Sequence, residues 1–232
     1  MTQKLSPLNN CILAALSEKE YQRLEPYLVT VSIPAGEVLY QSSDKIGTFY
    51  FPTTGLISLV AFLENGTTSE TGIVGYTGTV GLEVILGSGL SFNQTVVQVE
   101  GEFCKVSAQI ISGEFDRHEH LYKLLLGCTE ERLEELAQLS TCNRYHSIEE
   151  RLARWLLMVG DLLQSEHIPL TQEFLSTMLG VRRSGVTLTA GAFQRSGIIT
   201  YARGMITILD RESLENTACE CYQLFHRHYF QQ

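Results

Sequence analysis

Along the first half of the chain, apolar residues come in short runs broken by glycine, proline, asparagine and aspartate. Between about residues 30 and 107 the runs read VSIPAGEVLY, DKIGTFYF, TTGLISLVAFLENGTT, IVGYTGTVGL and TVVQVEGEFCKV. Runs of this length, rich in Val, Ile, Tyr, Phe and Thr and closed by turn formers, predict an all-β sandwich or roll. Asn65-Gly66 between two of them predicts a hairpin. Ahead of the strands, residues 13–28 predict one or two short helices, with Ser17 and Glu20 spaced as a capping box.

The pattern changes near residue 114. From there to 145 the turn formers vanish and Glu, Leu, Gln and Arg dominate. Leu121, Leu125, Cys128, Leu136 and Leu139 hold one stripe of a long helix, interrupted by Arg132, while Glu130, Glu131, Glu134 and Glu135 take other faces. Such a helix can pack on its own domain or pair with its copy; its length after a compact β domain favours the homodimer. Residues 147–163 predict a further helix whose apolar side carries Ile148, Leu152, Trp155, Leu156, Val159 and Leu163. A short loop, SEHIP, follows it.

IPLTQEFLSTMLGVRRSGVTLTAGAFQRSG then reads as two helices and a turn. Thr171 is a good N-cap, Glu173 suits the first turn, and Phe174, Leu175, Met178 and Leu179 supply a buried side. Small Ser176 permits close crossing, Gly180 takes a left-handed turn conformation, and Val181 and Val186 fill the space between the helices. The second helix buries Val186, Ala190 and Phe193 and leaves Arg183, Thr187 and Gln194 outside. IITYA and MITIL, joined around Arg203-Gly204, predict a hairpin behind it.

Charge sharpens this picture. The 232 residues carry a net charge of -9. Residues 1–142 hold 8 Lys/Arg against 17 Asp/Glu, and residues 143–232 hold 9 against 9, so the negative charge lies entirely in the first part. Within 167–211 five arginines (182, 183, 195, 203, 211) face two acids, Glu173 and Asp210, a local +3. A cationic segment in an acidic chain points to a polyanionic partner. Arg182, Arg183 and Ser184 would occupy the first turn of the second helix, where a recognition helix meets base edges in the major groove. Arginine suits guanine O6 and N7 and suits phosphate equally. The hairpin has the form of a wing whose Arg203 would meet backbone phosphate.

Other classes fit less well. The longest apolar run, residues 56–63, is far short of the roughly 20 residues that span a bilayer. The N-terminus MTQKLSPLNN lacks an apolar stretch behind positive charge, so a soluble, cytoplasmic protein is expected, with no membrane partner. Six scattered cysteines (11, 104, 128, 142, 219, 221) read as reduced thiols in a chain of this size. Cys219-x-Cys221 with His226-x-His228 has zinc-ligand residue types, but its single intervening residue is tighter than the usual spacing. His118-x-His120 beside Glu114 reads as solvated polar residues at a helix start. No metal and no cofactor is therefore expected. A cupin-type enzyme needs histidines inside the barrel, and none precedes residue 118. No nucleophile elbow, phosphate loop or His-Glu-x-x-His occurs either, so no enzyme is predicted.

The order β-roll, long helix, winged helix-turn-helix resembles the Crp/Fnr family of bacterial transcription regulators across nearly the whole chain. The resemblance rests on IPAGEVLYQ with Asp44 and TFYF, on GTVGLE, on RLARWLL, and above all on LTQEFLSTMLGVRRSGVTLTAGAFQRSGIITY. It implies an α+β fold: a cyclic-nucleotide-binding-like β-roll sensor over residues 1–113, a dimerisation helix over 114–146 and a winged helix-turn-helix over 147–232. It implies a homodimer paired near residues 121–145, double-stranded DNA with a palindromic operator as partner, and RNA polymerase as a further one. Arg182, Arg183, Ser184 and Thr187 would read or clamp DNA, with Thr171, Gln172 and Arg203 on phosphates. An effector would act by resetting the long helix near residues 144–147.

Three departures from the family pattern matter. Members that bind cyclic AMP carry a Gly-Glu pair for the ribose and an Arg-Ser pair for the phosphate. Here these align with Gly78-Thr79 and Gln94-Thr95. Each lost charge-assisted contact would be worth about 1.5–3 kcal/mol. Leu136 and Ala137 replace the long-helix hydroxyls that meet adenine, so the resemblance implies a small-molecule effector other than cyclic AMP. The iron-sulfur branch uses clustered N-terminal cysteines, and only Cys11 is offered. At the second, third and seventh positions from Arg182, where relatives place polar readers, stand Arg183, Ser184 and Leu188. Leu188 can touch only a thymine methyl. A ligand-binding or thiol-redox signalling module acting through protein contacts is the alternative.

Overall fold

The computed structural model describes residues 6–170 and 172–230, with the side chains of 172, 173 and 228–230 left aside. The chain divides into two compact units. The first takes the chain to Ala61 together with Gly72–Leu133; the second takes Phe62–Thr71 and everything from Glu134 onward.

The first unit opens with α1 (Cys11–Ala14) and α2 (Glu18–Leu24). Ser17 and Glu20 form the expected reciprocal capping box at α2. Seven strands follow: β1 (Val29–Ile33), β2 (Val38–Tyr40), β3 (Thr48–Pro52), β4 (Leu56–Phe62), β5 (Thr68–Val74), β6 (Gln94–Val99) and β7 (Gly101–Ser107). They make two sheets, β1-β7-β3 and β2-β6-β4-β5. Alternation decides what is inside: on β3, Phe49 and Phe51 are fully buried while Thr48 and Tyr50 between them are not. With Leu13, Leu24, Cys104, Val106, Ile111, Leu121 and Leu125 they form one core. A second cluster gathers Ile33, Ile57, Val74, Val80, Val97 and Phe103 between the strands. The β4–β5 hairpin turns at Asn65-Gly66, where Asn65 Oδ1 accepts the Thr67 N–H (2.9 Å) and Gly66 has φ +81°. Its outer part groups with the second unit, where Trp155 Nε1 donates to Glu70 Oε1 (2.7 Å).

The expected helix over 114–145 is corrected. The structure has α3 (Ala108–Phe115), a break with His118 at φ +55°, and α4 (His120–Tyr145). The break is imposed by α2. Arg23 bonds Glu114 Oε2 (2.7 Å) and Glu119 Oε2 (2.7 Å) at once, and Glu20 Oε1 accepts the N–H of Leu121 (2.8 Å), capping the new helix. These long-range polar contacts override helix-forming residues that would locally have run on.

The second unit contains α5 (Ile148–Leu163), β8 (His167–Pro169), α6 (Gln172–Leu179), α7 (Arg183–Arg195), β9 (Ile199–Ala202), β10 (Met205–Ile208), α8 (Arg211–Thr217) and α9 (Cys221–Phe230). α5 starts on a capping box between Ser147 and Glu150 and is buried over most of its length. The stretch SEHIP is more than the expected loop: His167–Pro169 pairs with β10, making a three-stranded sheet β8-β10-β9. Three residues ending in proline carry too little period-2 signal to announce a strand; burial of Ile168 and Ile206 against α5 and its neighbours selects it. Among the described residues no helix is long and apolar enough to cross a membrane.

Candidate nucleic-acid interface

Helix α6 ends in a Schellman arrangement. The Gly180 N–H bonds the Thr177 carbonyl (3.2 Å) and the Val181 N–H reaches the Ser176 carbonyl (3.1 Å), with Gly180 at φ +62°. That left-handed residue reverses the chain in three residues and lets α7 begin at Arg183. Val186, Ala190 and Phe193 are buried, and Arg183, Thr187 and Gln194 lie outside, as the periodicity predicts. The N-cap of α7 is Arg182, and no side chain caps the helix. Its first N–H groups and its dipole are therefore free to meet an anion.

Arg182, Arg183 and Ser184 are all exposed at this end. Among the described residues neither arginine makes an ion pair. Thr187 Oγ1 donates to the Arg183 carbonyl (3.0 Å), which holds this hydroxyl against the helix. Leu188 is 73% exposed on the same helix, an apolar group presented to solvent next to two cations. The Arg203-Gly204 turn has φ +50° and +77°, two consecutive left-handed residues that match a type I′ hairpin, and Arg203 is exposed at its tip. Thr171 lies outside the described residues, as does the side chain of Gln172 at the start of α6.

Not every arginine counted in the cationic segment is available. Arg211 bonds Asp161 Oδ1 (2.7 Å), Glu215 Oε1 (2.8 Å) and the Tyr222 hydroxyl (2.7 Å). Its charge is spent inside the unit. The exposed arginines of this segment with no ion pair among the described residues are Arg182, Arg183 and Arg203, with Arg195 in the last turn of α7.

Two helices, a glycine turn, a free cationic N-terminus and a hairpin wing make up a known DNA-binding module, and residues 150–217 match the family model of that module. That model describes a Crp-like helix-turn-helix domain. No curated protein matches the chain in sequence. Solved structures match its fold. One is a transcriptional regulator of the Crp/Fnr family from Eubacterium rectale (TM-score 0.68, 19% identity, covering 93% of this chain and 99% of that one). Others are FixK2 from Bradyrhizobium japonicum (0.70, 16%, 83% and 98%) and a Crp/Fnr regulator from Thermus thermophilus (0.67, 22%, 82% and 98%). The α+β fold and the resemblance to Crp/Fnr regulators are both borne out.

Within the Crp-like domain, periodicity missed what holds α6 in place. Arg151 of α5 is only 8% exposed, and its Nη2 donates to the carbonyl of Leu179, the last residue of α6. Burial pushes this guanidinium below its ordinary pKa, with the Cys142 and Cys219 thiols opposing that shift and Arg154 adding to it. Arg154, 3% exposed, donates to Met158 Sδ (3.1 Å) and stands 5.3 Å from the centre of the Phe225 ring. Two arginines on an otherwise apolar helix were the available signal. Arg151→Met keeps most of the stem and orphans a buried carbonyl, so it is expected to cost about 1.5–3 kcal/mol of stability in urea unfolding. An unchanged midpoint would show that the Leu179 carbonyl needs no such partner.

The residues aligned with the effector cassette are otherwise engaged. Thr79 is buried and donates through Oγ1 to the Tyr50 carbonyl (2.9 Å). Gly78 lies tight against Val74, where an added Cβ would come within 3.0 Å of Cγ1. Gln94 donates to Gln41 Oε1 (2.9 Å), and Thr95 is buried in β6 opposite Leu59. None of these four side chains is ionic. Leu136 is exposed, while Ala137 lines a cleft of about 380 Å³ with Glu134, Gln138, Thr141, Leu224 and Phe225.

Proposed function

We propose that the protein is a homodimeric, sequence-specific DNA-binding transcription regulator whose β-roll answers an effector other than cyclic AMP. The observation that carries this reading is the cationic start of α7 on a helix-turn-helix, uncapped and without an ion pair among the described residues, with Arg203 at a wing tip. Arg182, Arg183, Ser184 and Thr187 read or clamp DNA at the major groove, with Thr171, Gln172 and Arg203 on phosphates. Leu188 meets a thymine methyl.

The homodimer is supported by α4. Leu126, Leu133 and Leu136 lie on one stripe of this helix and are 39%, 63% and 41% exposed. Three leucines turned to water on a single helix face mark a surface awaiting a partner, and a second α4 in two-fold relation satisfies the same stripe on both sides. With no ionic side chain at residues 78, 79, 94 and 95, these positions offer no charged group for a cyclic phosphate, which supports an effector of different chemistry.

Salt dependence tests the reading. Three arginines per protomer give six phosphate-reach cations per dimer, so affinity for random duplex DNA should fall about a thousandfold between roughly 50 and 200 mM salt. A module that works through protein contacts gives flat or undetectable DNA binding over that range.

A further inference from the structure

The tail cysteines have unexpected neighbours. Among the described residues, the ligand atoms of Cys142, His146, Cys219 and Cys221 all lie within 4.8 Å of one another. His226, five residues beyond Cys221, is not among them. Cys142 stands in the last turn of α4, and His146 one turn further on still bonds the Cys142 carbonyl through its N–H (3.1 Å). A spacing of four on a helical path puts both side chains on one face. Cys219 and Cys221 flank Glu220 at the corner between α8 and α9. All three thiols are buried, Cys142 and Cys221 completely.

From these positions we infer a mononuclear, tetrahedral metal site of Cys3His type, built for a thiophilic divalent cation and fitted best by zinc. The distances suit that ion. Tetrahedral zinc with Zn–S bonds of about 2.3 Å sets its sulfurs about 3.8 Å apart. The Cys142 and Cys219 sulfurs are 3.7 Å apart, and Cys221 Sγ is 3.6 Å from His146 Nδ1. A multinuclear iron-sulfur cluster needs its ligands spread wider than four atoms gathered within 4.8 Å allow.

The surroundings match as well. His146 Nε2 stands 3.2 Å from Glu220 Oε2, so the carboxylate accepts a hydrogen bond from Nε2–H and the Nδ1 lone pair is left toward the sulfurs. Gln138, one turn earlier on α4, donates Nε2 to Cys221 Sγ (3.0 Å). Metal binding displaces the three thiol protons; three thiolates, one neutral imidazole and a dication sum to -1. The guanidinium of Arg154, buried in the same compact unit, offsets that charge. An ion here would pin the end of α4, beside the joint into α5, to the α8–α9 corner. The inference stands apart from the DNA reading, since either can hold without the other.

The test uses the full chain, reduced and stripped of metal, titrated with zinc against a chromophoric chelator. One zinc per chain with nanomolar or tighter affinity is expected, and cobalt should give the visible bands of a tetrahedral thiolate site. Glu220→Ala, a change at an exposed residue, should weaken zinc by about 10–100-fold. Cys142→Ser and Cys221→Ser should abolish stoichiometric binding; if either fails to fold, the wild-type titration and Glu220→Ala still decide. The inference is overturned by absence of stoichiometric binding in the reduced wild type, by an octahedral cobalt spectrum, or by binding that survives both serine variants. Recovery of a Cys142–Cys219 disulfide from protein whose reduced form ignores zinc would overturn it equally.

Discussion

Arg183→Ala is expected to weaken binding to the protein's own operator by about 1–3 kcal/mol, roughly fivefold to 150-fold, in competition gel-shift titrations. Arg183 is the first residue of α7, exposed and without an ion-pair partner among the described residues, so its removal leaves the fold intact. The loss is then a loss of DNA contact. Arg183→Lys divides the two roles an arginine can play there. Against phosphate a lysine is a serviceable point charge and affinity stays near wild type; against guanine the planar fork is irreplaceable and lysine fails as alanine does. Wild-type affinity in Arg183→Ala would remove this residue from the contact set.

The second large effect is expected at Leu133. At 63% exposure it is the most solvent-facing leucine of α4, and the proposed homodimer would bury it in the pairing stripe. Leu133→Glu forfeits about 1.5–3 kcal/mol of apolar burial per protomer and sets like charges against each other across the axis, at a further cost of several kcal/mol. Sedimentation should show a monomer whose circular dichroism is unchanged. Operator affinity should fall by about 10²–10⁴, because each half-site must then be bound without the effective concentration supplied by its twin. A Leu133→Glu protein that remains dimeric would move the interface off this stripe.

Much of this was legible in the residues themselves, and the reasons are local. Phe49 and Phe51 alternate with polar neighbours, and a strand with one buried face follows from period two alone. Ser17 with Glu20 is a helix start written in four residues. Gly180 between an apolar stripe and Val186 states both the turn and the side on which the helices meet. What stayed hidden depends on residues far apart in the chain. The break before α4 comes from Arg23 and Glu20, about a hundred residues upstream of the groups they bind. Strand β8 exists because β10 offers it an edge. Arg151 looks like any basic residue until Leu179 is beside it. Cys142 and Cys219 are 77 residues apart, and nothing in their spacing announces that their sulfurs meet.

The candidate interface divides along the same line. The cationic first turn of α7 and the Arg203 tip follow from periodicity and turn chemistry. Local counting also took in Arg211, which the fold commits to Asp161 and Glu215. Net charge over a window therefore overstated the free cations by one, and only packing revealed which one.

Selection of bound sequences from random duplex DNA by the purified full chain is the most direct measurement. The account predicts an inverted repeat whose half-sites lie about 34–36 Å apart, occupied by one dimer, with enrichment lost in Arg183→Ala. Recovery of no preferred sequence, or of a single half-site held by a monomer, would contradict it.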